Sequence, residues 1–401
     1  MELLRKWDCN VPTLRFAEFT DEWGKYELSH FVTRITRRNK NNESSLPLTI
    51  SAQYGLVDQI SFFNKTVASV DLSGYYLLYN GDFAYNKSYS NDYAWGAVKR
   101  LDKYEKGCLS SLYFVFRPND NVDSDYLTHY FESSKWHKGI SNIAGEGARN
   151  HGLLNMAVDD YFATKHYLPS LHEQKKIARF FNAITRRIEI QNKIIEDLKV
   201  LKKELCNDHF KSVLHDASLR YITLKEILTE RKEYCSKDGT YTHGTLSKEG
   251  VAPKTERYDR DFLVKNEDKQ YKVTHLNDIC YNPANLKFGV ICRNTYGDLI
   301  FSPIYVTFEI SDNVYPAYIE LFLTNPNFIG RIRRYEQGTV YERMAVSPED
   351  FLSYETHIPA YEEQVEFANE MQCIQRKIEL ETAFLSSLQN QRRFFLNAMF
   401  I

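Results

Sequence analysis

The chain repeats itself at an interval of about half of its 401 residues. A Met-Ala-Val segment begins at Met156 and again at Met344. Each is followed by the motif Pro-x-x-x-Glu-Gln, which begins at Pro169 and at Pro359, with an offset of 190 residues. A repeat of this length predicts two copies of one folding module, each long enough to bury its own core.

The repeat extends upstream through the whole of each module. The motif Asp-x-x-Tyr-Asn begins at Asp82 and at Asp278, here with an offset of 196 residues. The offset falls from 196 to 190 in small steps, as expected when insertions and deletions are confined to loops. The sequence therefore predicts four segments: a first globular module over residues 1–168, a long helix over 169–212, a second globular module over 213–358 and a second long helix over 359–401.

Each module is predicted to combine a sheet with helices, which makes the fold class α+β. Aromatic and β-branched runs at 112–116 and 304–308 are typical of short strands. Turn residues follow both runs, and helical stretches follow the turns at 125–136 and 316–324. We expect two similar α/β modules related by a pseudo-twofold internal repeat.

Both long helices carry an apolar stripe with spacings of three and four residues, and neither contains Pro or Gly. The stripe predicts two helices packed as an antiparallel coiled coil; ordinary surface helices would explain the stripe but not its length. Some 35 residues at ~1.5 Å each span about 50 Å, which is about one to one and a half turns of B-DNA between the modules. The predicted seam consists of Ile184, Ile188, Ile195, Leu198 and Leu205 with Ile374, Ile378, Leu385, Leu388 and Phe395.

The composition predicts a cytoplasmic protein without a membrane partner. No stretch approaches ~18 consecutive apolar residues, and the N-terminus lacks the layout of a signal peptide. The seven cysteines are scattered and odd in number, which indicates free thiols rather than a disulfide framework or a zinc site. A net charge of −2 counts against nucleic-acid binding by the chain as a whole, although compact clusters of basic residues supply positive charge locally.

No catalytic or metal site is predicted. The segment at Asn282-Pro283 is similar to the Asn-Pro-Pro-aromatic motif of adenine methyltransferases, but the second Pro and the aromatic residue are missing. A glycine-rich cofactor loop upstream is also missing. The acidic turn from Asp120 to Asp125 lacks the Gly and Glu of a calcium-binding EF-hand, so a solvated turn explains it better.

Two variable modules, each followed by Pro-x-x-x-Glu-Gln and a long heptad helix, resemble the specificity subunit of type I restriction–modification systems. The stretch from Val11 to Trp23 is also similar to the N-terminus of that family. The most specific elements are the segments 168–174 and 358–364, and the resemblance covers essentially the full chain.

The resemblance implies a function and a set of partners. Each module would be a target recognition domain that reads one half of a bipartite, asymmetric site in double-stranded DNA. The paired helices would set the spacer and dock two modification subunits, which would bind S-adenosylmethionine, with no cofactor on this chain. This subunit would not be an enzyme, and a separate restriction and translocase subunit would cut DNA. A helical scaffold that does not bind DNA is the alternative, since near-neutral charge and a helical seam permit it.

In that family the loop after the middle strand reaches the DNA, which corresponds here to the segments that follow Asp82 and Asp278. Their Asn, Lys, Ser and Tyr side chains, with basic residues of other loops, have the donors that contact base edges and phosphates. The same residue types also form solvated turns, so both interpretations stay open. The predicted DNA-binding residues are Arg37, Arg38, Lys40, Ser51, Gln53, Tyr85, Asn86, Lys87, Ser88, Arg149 and Asn150 in the first module, and Lys248, Lys254, Arg257, Tyr281, Asn282, Asn285, Lys287, Arg331, Arg334, Tyr341 and Arg343 in the second.

Overall fold

The computed structural model describes residues 10–65, 68–69, 71–90, 93–145, 152–236, 240–248, 250–254, 270–336 and 345–401, which form two compact units. The first unit consists of Met1–Asn192 with Ala383–Ile401, and the second of Lys193–Thr382. Each unit therefore contains the first part of one long helix and the last part of the other, whereas the sequence prediction gave the helices segments of their own. Among the residues described, no helix is both long and apolar enough to cross a membrane.

The first unit alternates short strands with short helices before the chain enters a long helix. Its strands are β1 (Gly24–Glu27), β2 (Val32–Arg34), β3 (Leu48–Ser51), β4 (Gly55–Asp58), β5 (Tyr76–Tyr79), β6 (Phe83–Asn86), β7 (Ala97–Arg100), β8 (Lys106–Leu109), β9 (Phe114–Pro118) and β10 (Lys165–Leu168). Its helices are α1 (Leu28–Phe31), α2 (Gln59–Phe63), α3 (Ser124–Tyr130), α4 (His137–Ile143), α5 (Val158–Phe162) and the first part of α6 (Leu171–His215).

The second unit follows the same order. Its strands are β11 (Arg220–Thr223), β12 (Leu228–Glu230), β13 (Tyr234–Cys235), β14 (Thr242–Ser247), β15 (Gly250–Pro253), β16 (Tyr271–Thr274), β17 (Ile279–Tyr281), β18 (Ile291–Arg293), β19 (Leu299–Phe301), β20 (Val306–Ile310) and β21 (Glu355–Ile358). Its helices are α7 (Pro316–Leu323), α8 (Pro326–Ile332), α9 (Pro348–Leu352) and the first part of α10 (Tyr361–Ala398), with 3-10 turns at Leu224–Glu226, Leu286–Phe288 and Arg333–Tyr335.

The same antiparallel sheet recurs in both units. Its strand order is β2-β9-β6-β7 in the first unit and β12-β20-β17-β18 in the second. In each unit the strand before the long helix pairs with the first strand, as β1–β10 and as β11–β21. The units differ beside this sheet, where the pairs β3–β4 and β5–β8 are replaced by a five-stranded sheet of order β13-β16-β19-β14-β15. The predicted mixture of helix and sheet, in two similar modules, is confirmed.

Stacked aromatic rings from matching positions of the repeat lie in the two cores. The ring centroids of Tyr85 on β6 and Tyr161 on α5 are 4.8 Å apart, with nearly parallel planes. In the second unit, the centroids of Tyr281 on β17 and Phe351 on α9 are 4.9 Å apart. All four residues are at most 1% exposed. Each ring pair joins the central sheet to the short helix that precedes the last strand, and such pairs contribute about 0.5–1.5 kcal/mol beyond the burial of their surface.

The two long helices pack against each other within each unit. In the first unit the start of α6 meets the end of α10, with ring centroids 5.0 Å apart for Phe180 and Phe395. In the second unit the end of α6 meets the start of α10, where His209 stacks on Phe367 at 3.7 Å. The pairing within each unit is therefore antiparallel.

Burial along the helices follows most of the predicted seam. Ile195, Ile378 and Leu388 are buried, but Leu205 is 39% exposed and its neighbour Cys206 is buried instead. The prediction is wrong at Leu205 because a straight α-helix drifts by ~20° per heptad relative to strict seven-residue spacing. The other predicted seam residues are half-buried: Ile184, Ile188, Leu198, Ile374, Leu385 and Phe395.

A buried glutamine ties the start of each long helix to its unit. Gln174 donates through Nε2 to the carbonyl oxygen of Pro169 at 2.9 Å, and its Oε1 accepts from the backbone N–H of Asp123 at 2.8 Å. Gln364 makes the matching pair of hydrogen bonds in the second unit, at 3.0 and 2.9 Å. Both side chains are 1% exposed. The Pro-x-x-x-Glu-Gln motif thus connects the helix start to the loop that enters α3 or α7; we call this pair of bonds the glutamine clamp.

The stretch from Val11 to Trp23 packs on the first unit next to this clamp. Arg15 donates from Nε and Nη2 to the two carboxylate oxygens of Glu173, at 2.8 and 2.7 Å, and the ion pair raises the pKa of the arginine. The backbone N–H of Leu14 donates to the carbonyl oxygen of Ala398 at 2.9 Å. The N-terminal motif therefore contacts the start of α6 and the end of α10.

Replacing either clamp glutamine is predicted to destabilise its unit. Gln174→Ala leaves a backbone N–H and a carbonyl oxygen without their partner inside the protein, which costs about 1–3 kcal/mol per unsatisfied buried group. Gln364→Ala is expected to have the same effect. The free energy of unfolding from urea titration measures both, with Gln372→Ala, an exposed glutamine of α10, as the matched control. Clamp variants as stable as this control would contradict the assignment.

The core of the first unit holds a histidine that its neighbours keep neutral. Tyr130 donates its hydroxyl hydrogen to Nδ1 of His166 at 2.7 Å. Thr164 donates its hydrogen to the carbonyl oxygen of Tyr161 at 2.7 Å, so its Oγ1 accepts from Nε2 of His166 at 2.8 Å. Both ring nitrogens are satisfied in the uncharged form, and burial lowers the pKa of His166 to about 4.

This histidine predicts a loss of stability in mild acid. Since its pKa in the folded state lies below the ordinary value of 6.5, the unfolded chain takes up the proton first. The stabilisation is complete above pH 6.5 and is lost as the pH falls towards 4, at about 1.4 kcal/mol per unit of pKa shift. His166→Gln is expected to flatten the pH dependence of the unfolding free energy in this window, and a variant of an exposed histidine, His30→Gln, is the matched control. Equal slopes in the two variants would contradict this prediction.

Candidate nucleic-acid interface

The predicted DNA-contacting loops leave the central sheet at the same edge in both units. In the first unit the loop follows β6, whose last paired residues lie opposite the start of β9. In the second unit it follows β17, beside the start of β20. We call this part of each unit the loop edge. It is formed by residues 86–90 and 110–113 in the first unit and by 282–290 and 302–305 in the second.

The two tyrosines of the predicted site are core residues. Tyr85 and Tyr281 are both 0% exposed. The hydroxyl of Tyr85 donates to the carbonyl oxygen of Trp95 at 2.8 Å, and that of Tyr281 donates to the carbonyl oxygen of Val346 at 3.1 Å. The prediction that these rings contact DNA is wrong, because the alternation of side chains along the strand directs them into the core.

The asparagines that follow these tyrosines shape the loops. Oδ1 of Asn86 accepts a hydrogen bond from the backbone N–H of Ser88 at 2.9 Å. Oδ1 of Asn282 accepts from the backbone N–H of Ala284 at 3.1 Å. Both are turns in which Asn bonds to the backbone two residues later, so the oxygen of each side chain is already used. The half-buried Asn285 continues the second loop, since its backbone N–H donates to the carbonyl oxygen of Asn282 at 3.0 Å.

Each loop edge holds a lysine beside an aromatic ring. The ammonium nitrogen of Lys87 lies 4.7 Å from the ring centroid of Phe114, and burial lowers the pKa of this lysine. The ammonium nitrogen of Lys287 lies 5.3 Å from the ring centroid of Phe288, whose side chain is 56% exposed. Among the described residues neither cation has a carboxylate within 4.0 Å, so each is held by its ring and its donors stay available for phosphate or base-edge oxygens.

Two arginines of the predicted site fold back onto the protein. Arg37 donates through Nε to the carbonyl oxygen of Leu77 at 2.7 Å and forms an ion pair with Asp82, which is 0% exposed. Arg38 donates to the carbonyl oxygen of Gly74 at 2.8 Å and lies 4.1 Å from the ring of Tyr76. Within the part of the chain that the structure describes, these contacts leave Lys40, which is exposed, as the free cation of the predicted 37–40 cluster.

The buried aspartate recurs in the second unit. Asp278 is 2% exposed and accepts from Nε and Nη2 of Arg231 at 2.8 and 3.0 Å. Asp82 likewise accepts from Nε of a second arginine, Arg117, at 2.6 Å. The first residue of the Asp-x-x-Tyr-Asn motif is therefore a buried acceptor that fixes the turn before the central strand.

The hairpin tips carry the next group of predicted contacts. Ser51 is 8% exposed, and its Oγ accepts from the backbone N–H of Tyr54 at 3.1 Å, so it stabilises the turn of β3–β4. Gln53 is exposed in that turn. In the matching hairpin β14–β15, Lys248 is exposed and Lys254 is half-buried.

Of the remaining predicted residues, two lie in the described part of the second unit and the others lie outside the described residues. Arg331 lines a cavity of about 220 Å³ with Lys211 and His215 in the second unit, and Arg334 is exposed. The predicted residues that lie outside the described part of the chain are Arg149, Asn150, Arg257, Tyr341 and Arg343.

A cluster of four lysines in the first unit was missed by sequence reasoning. They line one cavity of about 510 Å³ between α4, α5 and β10 together with one acidic residue, Asp160, and none of the four has a carboxylate partner within 4.0 Å among the described residues. We call this the lysine cleft; the four residues are Lys25, Lys135, Lys138 and Lys165. Because they are scattered over 141 positions, the sequence shows no charge cluster. In the second unit the positions of Lys25 and Lys165 are taken by Tyr221 and Glu355, which hydrogen-bond to each other at 2.5 Å.

Comparison with known proteins identifies the module. Residues 35–200 match the family model described as the type I restriction modification DNA specificity domain. No curated protein matches the chain.

Two solved structures share the fold over nearly the whole chain. A structure described as the structural basis of complex assembly and conformational transition of the type I R-M system is 15% identical, with a TM-score of 0.56 and coverage of 94% of this chain and 96% of that one. The S subunit of a type I restriction–modification system from M. genitalium is 14% identical, with a TM-score of 0.52 and coverage of 98% and 99%. The first module is therefore similar to type I restriction modification DNA specificity domains, and the chain shares the fold of these solved structures over nearly its whole length.

Proposed function

We propose that each compact unit reads one half of a bipartite DNA site. The observation that carries this proposal is the loop edge, which recurs in both units. The strands around it are arranged in the same way, but the side chains of its loops differ. Asn86-Lys87-Ser88 leaves β6 in the first unit, whereas Asn282-Pro283-Ala284 leaves β17 in the second. Two equal copies would read the same half-site twice, so divergence at the loop edge supports an asymmetric target.

The loop edges supply both kinds of contact that a DNA reader needs. Lys87 and Lys287 provide cations for phosphate oxygens, which fix the position of the protein on the duplex. The hydroxyl of Ser88 and the amide nitrogens of the loops can bond to base edges in the major groove. Ser88 is exposed, and Asn86 and Asn285 are half-buried, which leaves them accessible from solvent.

The lysine cleft is proposed as a phosphate contact beside the first half-site. The chain that leaves α4 returns to the loop edge, since Gly145 donates to the carbonyl oxygen of Asn155 at 3.2 Å and Leu154 donates to that of Lys87 at 3.0 Å. Four lysines without carboxylate partners in the described structure concentrate positive charge in a chain whose net charge is −2. Local charge of this kind favours sequence-independent binding to the DNA backbone.

The long helices are proposed to set the spacer and to dock two modification subunits. Their surfaces support docking, because many large apolar side chains face solvent. The most exposed of them are Ile190, Val200, Leu201, Leu380 and Phe394, at 52%, 56%, 48%, 68% and 62%. Where such residues form a contiguous apolar patch, they are typical of a protein interface.

The chain itself is proposed to be non-catalytic and cytoplasmic. Methyl transfer would be carried out by the modification subunits, which would hold S-adenosylmethionine, and cleavage by restriction and translocase subunits. The two acidic residues of the repeated motif support this, since Asp82 and Asp278, which precede the central strands, are buried in ion pairs with arginine. The helical scaffold without DNA binding is not favoured, because the family model that matches residues 35–200 is a DNA specificity domain.

Fluorescence anisotropy with labelled duplex DNA over a salt series tests the DNA-reading role. The complex of this chain with its modification subunits is expected to bind with a linear fall of log affinity against log salt, of about 0.9 per phosphate contacted. A flat salt response would contradict the proposal, since contact with phosphates releases counterions.

The lysine cleft predicts a specific change in that slope. Lys135→Gln with Lys138→Gln is expected to reduce the slope by up to about 1.8, and to weaken binding to cognate and random duplexes alike. Lys103→Gln is the matched control, because this exposed lysine follows β7 at the end of the sheet opposite the loop edge. An unchanged slope in the double variant would show that the cleft does not contact DNA.

A further inference from the structure

Each loop edge displays one large aliphatic side chain at the same position of the repeat. Leu112 is 63% exposed and Ile304 is 62% exposed, and the two residues are 192 positions apart. The tyrosines that follow them, Tyr113 and Tyr305, are separated by the same number of positions. The exposure is therefore a repeated feature rather than an isolated surface residue.

The chemistry of the turn does not require an aliphatic residue there. Both residues are third in a four-residue turn, which closes when the backbone N–H of Tyr113 donates to Ser110 at 3.3 Å and that of Tyr305 donates to Ser302 at 3.1 Å. The third position of such turns favours Gly, Asn, Asp or Ser. The tyrosine rings pack inward against the apolar clusters of their units, so Leu112 and Ile304 are left facing solvent.

The two turns lie beside the loops that are proposed to reach DNA. β9 begins at Phe114, which is paired with Tyr85, the residue just before Asn86. β20 begins at Val306, which is paired with Tyr281, the residue just before Asn282. The aliphatic side chain and the polar loop therefore leave the same end of neighbouring strands in both units.

We propose that Leu112 and Ile304 are specificity-determining residues that each contact the C5-methyl group of a thymine, one in each half-site. The inference rests on the proposed function and deepens it. In the major groove only thymine offers an apolar group, and an aliphatic side chain is a suitable partner for it. Neither side chain is aromatic, so stacking on an unpaired base is not its chemistry.

A cycle of paired substitutions tests this contact. The DNA probe is a duplex with the target site of the host, as mapped from its methylated sequence motif, in which single thymines are replaced by deoxyuridine. This change removes the C5-methyl group and leaves base pairing intact. Affinities are measured by anisotropy for the complete modification complex, with wild-type chain, Leu112→Ala or Ile304→Ala.

The wild-type complex is expected to lose affinity about fourfold when the contacted thymine methyl is removed. The Leu112→Ala complex is expected to bind the duplex that retains all its thymine C5-methyl groups several-fold more weakly than the wild-type complex does. Its affinity is expected to stay the same when deoxyuridine replaces thymine at one position of one half-site. Ile304→Ala is expected to show the same insensitivity in the other half-site. Leu276→Ala is the matched control, because Leu276 is 58% exposed on a turn at the opposite end of β17 and Asn80 takes its place in the first unit.

Two results would overturn the inference while leaving the proposed function intact. One is that, at every thymine, the fold-change in affinity for both substitutions together equals the product of the fold-changes for the protein substitution and the DNA substitution alone. The side chain and the methyl group would then not be in contact. The other is a loss of modification subunit from the Leu112→Ala or Ile304→Ala complexes, which would assign the two residues to protein docking. Failure of the proposed function itself would differ, since the wild-type complex would then not prefer its mapped site over random duplex.

Discussion

The glutamine clamp is the interaction on which each unit depends. The side-chain amide of Gln174 or Gln364 joins the first turn of a long helix to the loop that enters the following domain helix, at 1% exposure. That loop directly follows the strand β9 or β20, which is the neighbour of β6 or β17 in the central sheet. The same two hydrogen bonds therefore link the start of the long helix to the central sheet that carries the loop edge. Since the glutamine side chain is buried and both its amide oxygen and its amide nitrogen are hydrogen-bonded, the clamp orients the start of the long helix as well as stabilising the unit.

Because the chain contains two copies of one module, residues that maintain the fold can be distinguished from residues that vary at the surface. Residues that occur in both copies form the frame: the clamp glutamines, the buried aspartates Asp82 and Asp278, and the stacked tyrosines of the central sheet. Residues that differ between the copies lie at the loop edges and clefts, as where Lys25 and Lys165 give way to Tyr221 and Glu355. Such a design keeps the fold constant while the surface that is proposed to meet DNA varies, in agreement with the general location of function in loops on a rigid scaffold.

Much of the fold was predictable because repeats and periodicity are local properties of a sequence. The two modules, the long helices and the antiparallel pairing all follow from matching motifs and the apolar stripe, and only Leu205 lies off the seam. The site was less predictable for a physical reason. Sequence spacing does not reveal that Tyr85 and Tyr281 point into the core, that Arg37 is bound by Asp82, or that four distant lysines meet in one cleft. Leu112 and Ile304 were within matched motifs, but only their exposure distinguishes them from core residues.

Mapping of methylated adenines across the genome of a host that carries this chain and its modification subunits tests the central claim most directly. Two units with different loop edges predict a split motif, with two unequal half-sites and a gap of constant length. Substitution of Ser88 in the first unit is expected to change recognition of one half-site and to leave the other half-site and the gap unchanged. A contiguous motif, two identical half-sites, or a methylation pattern that does not depend on this chain would contradict the account.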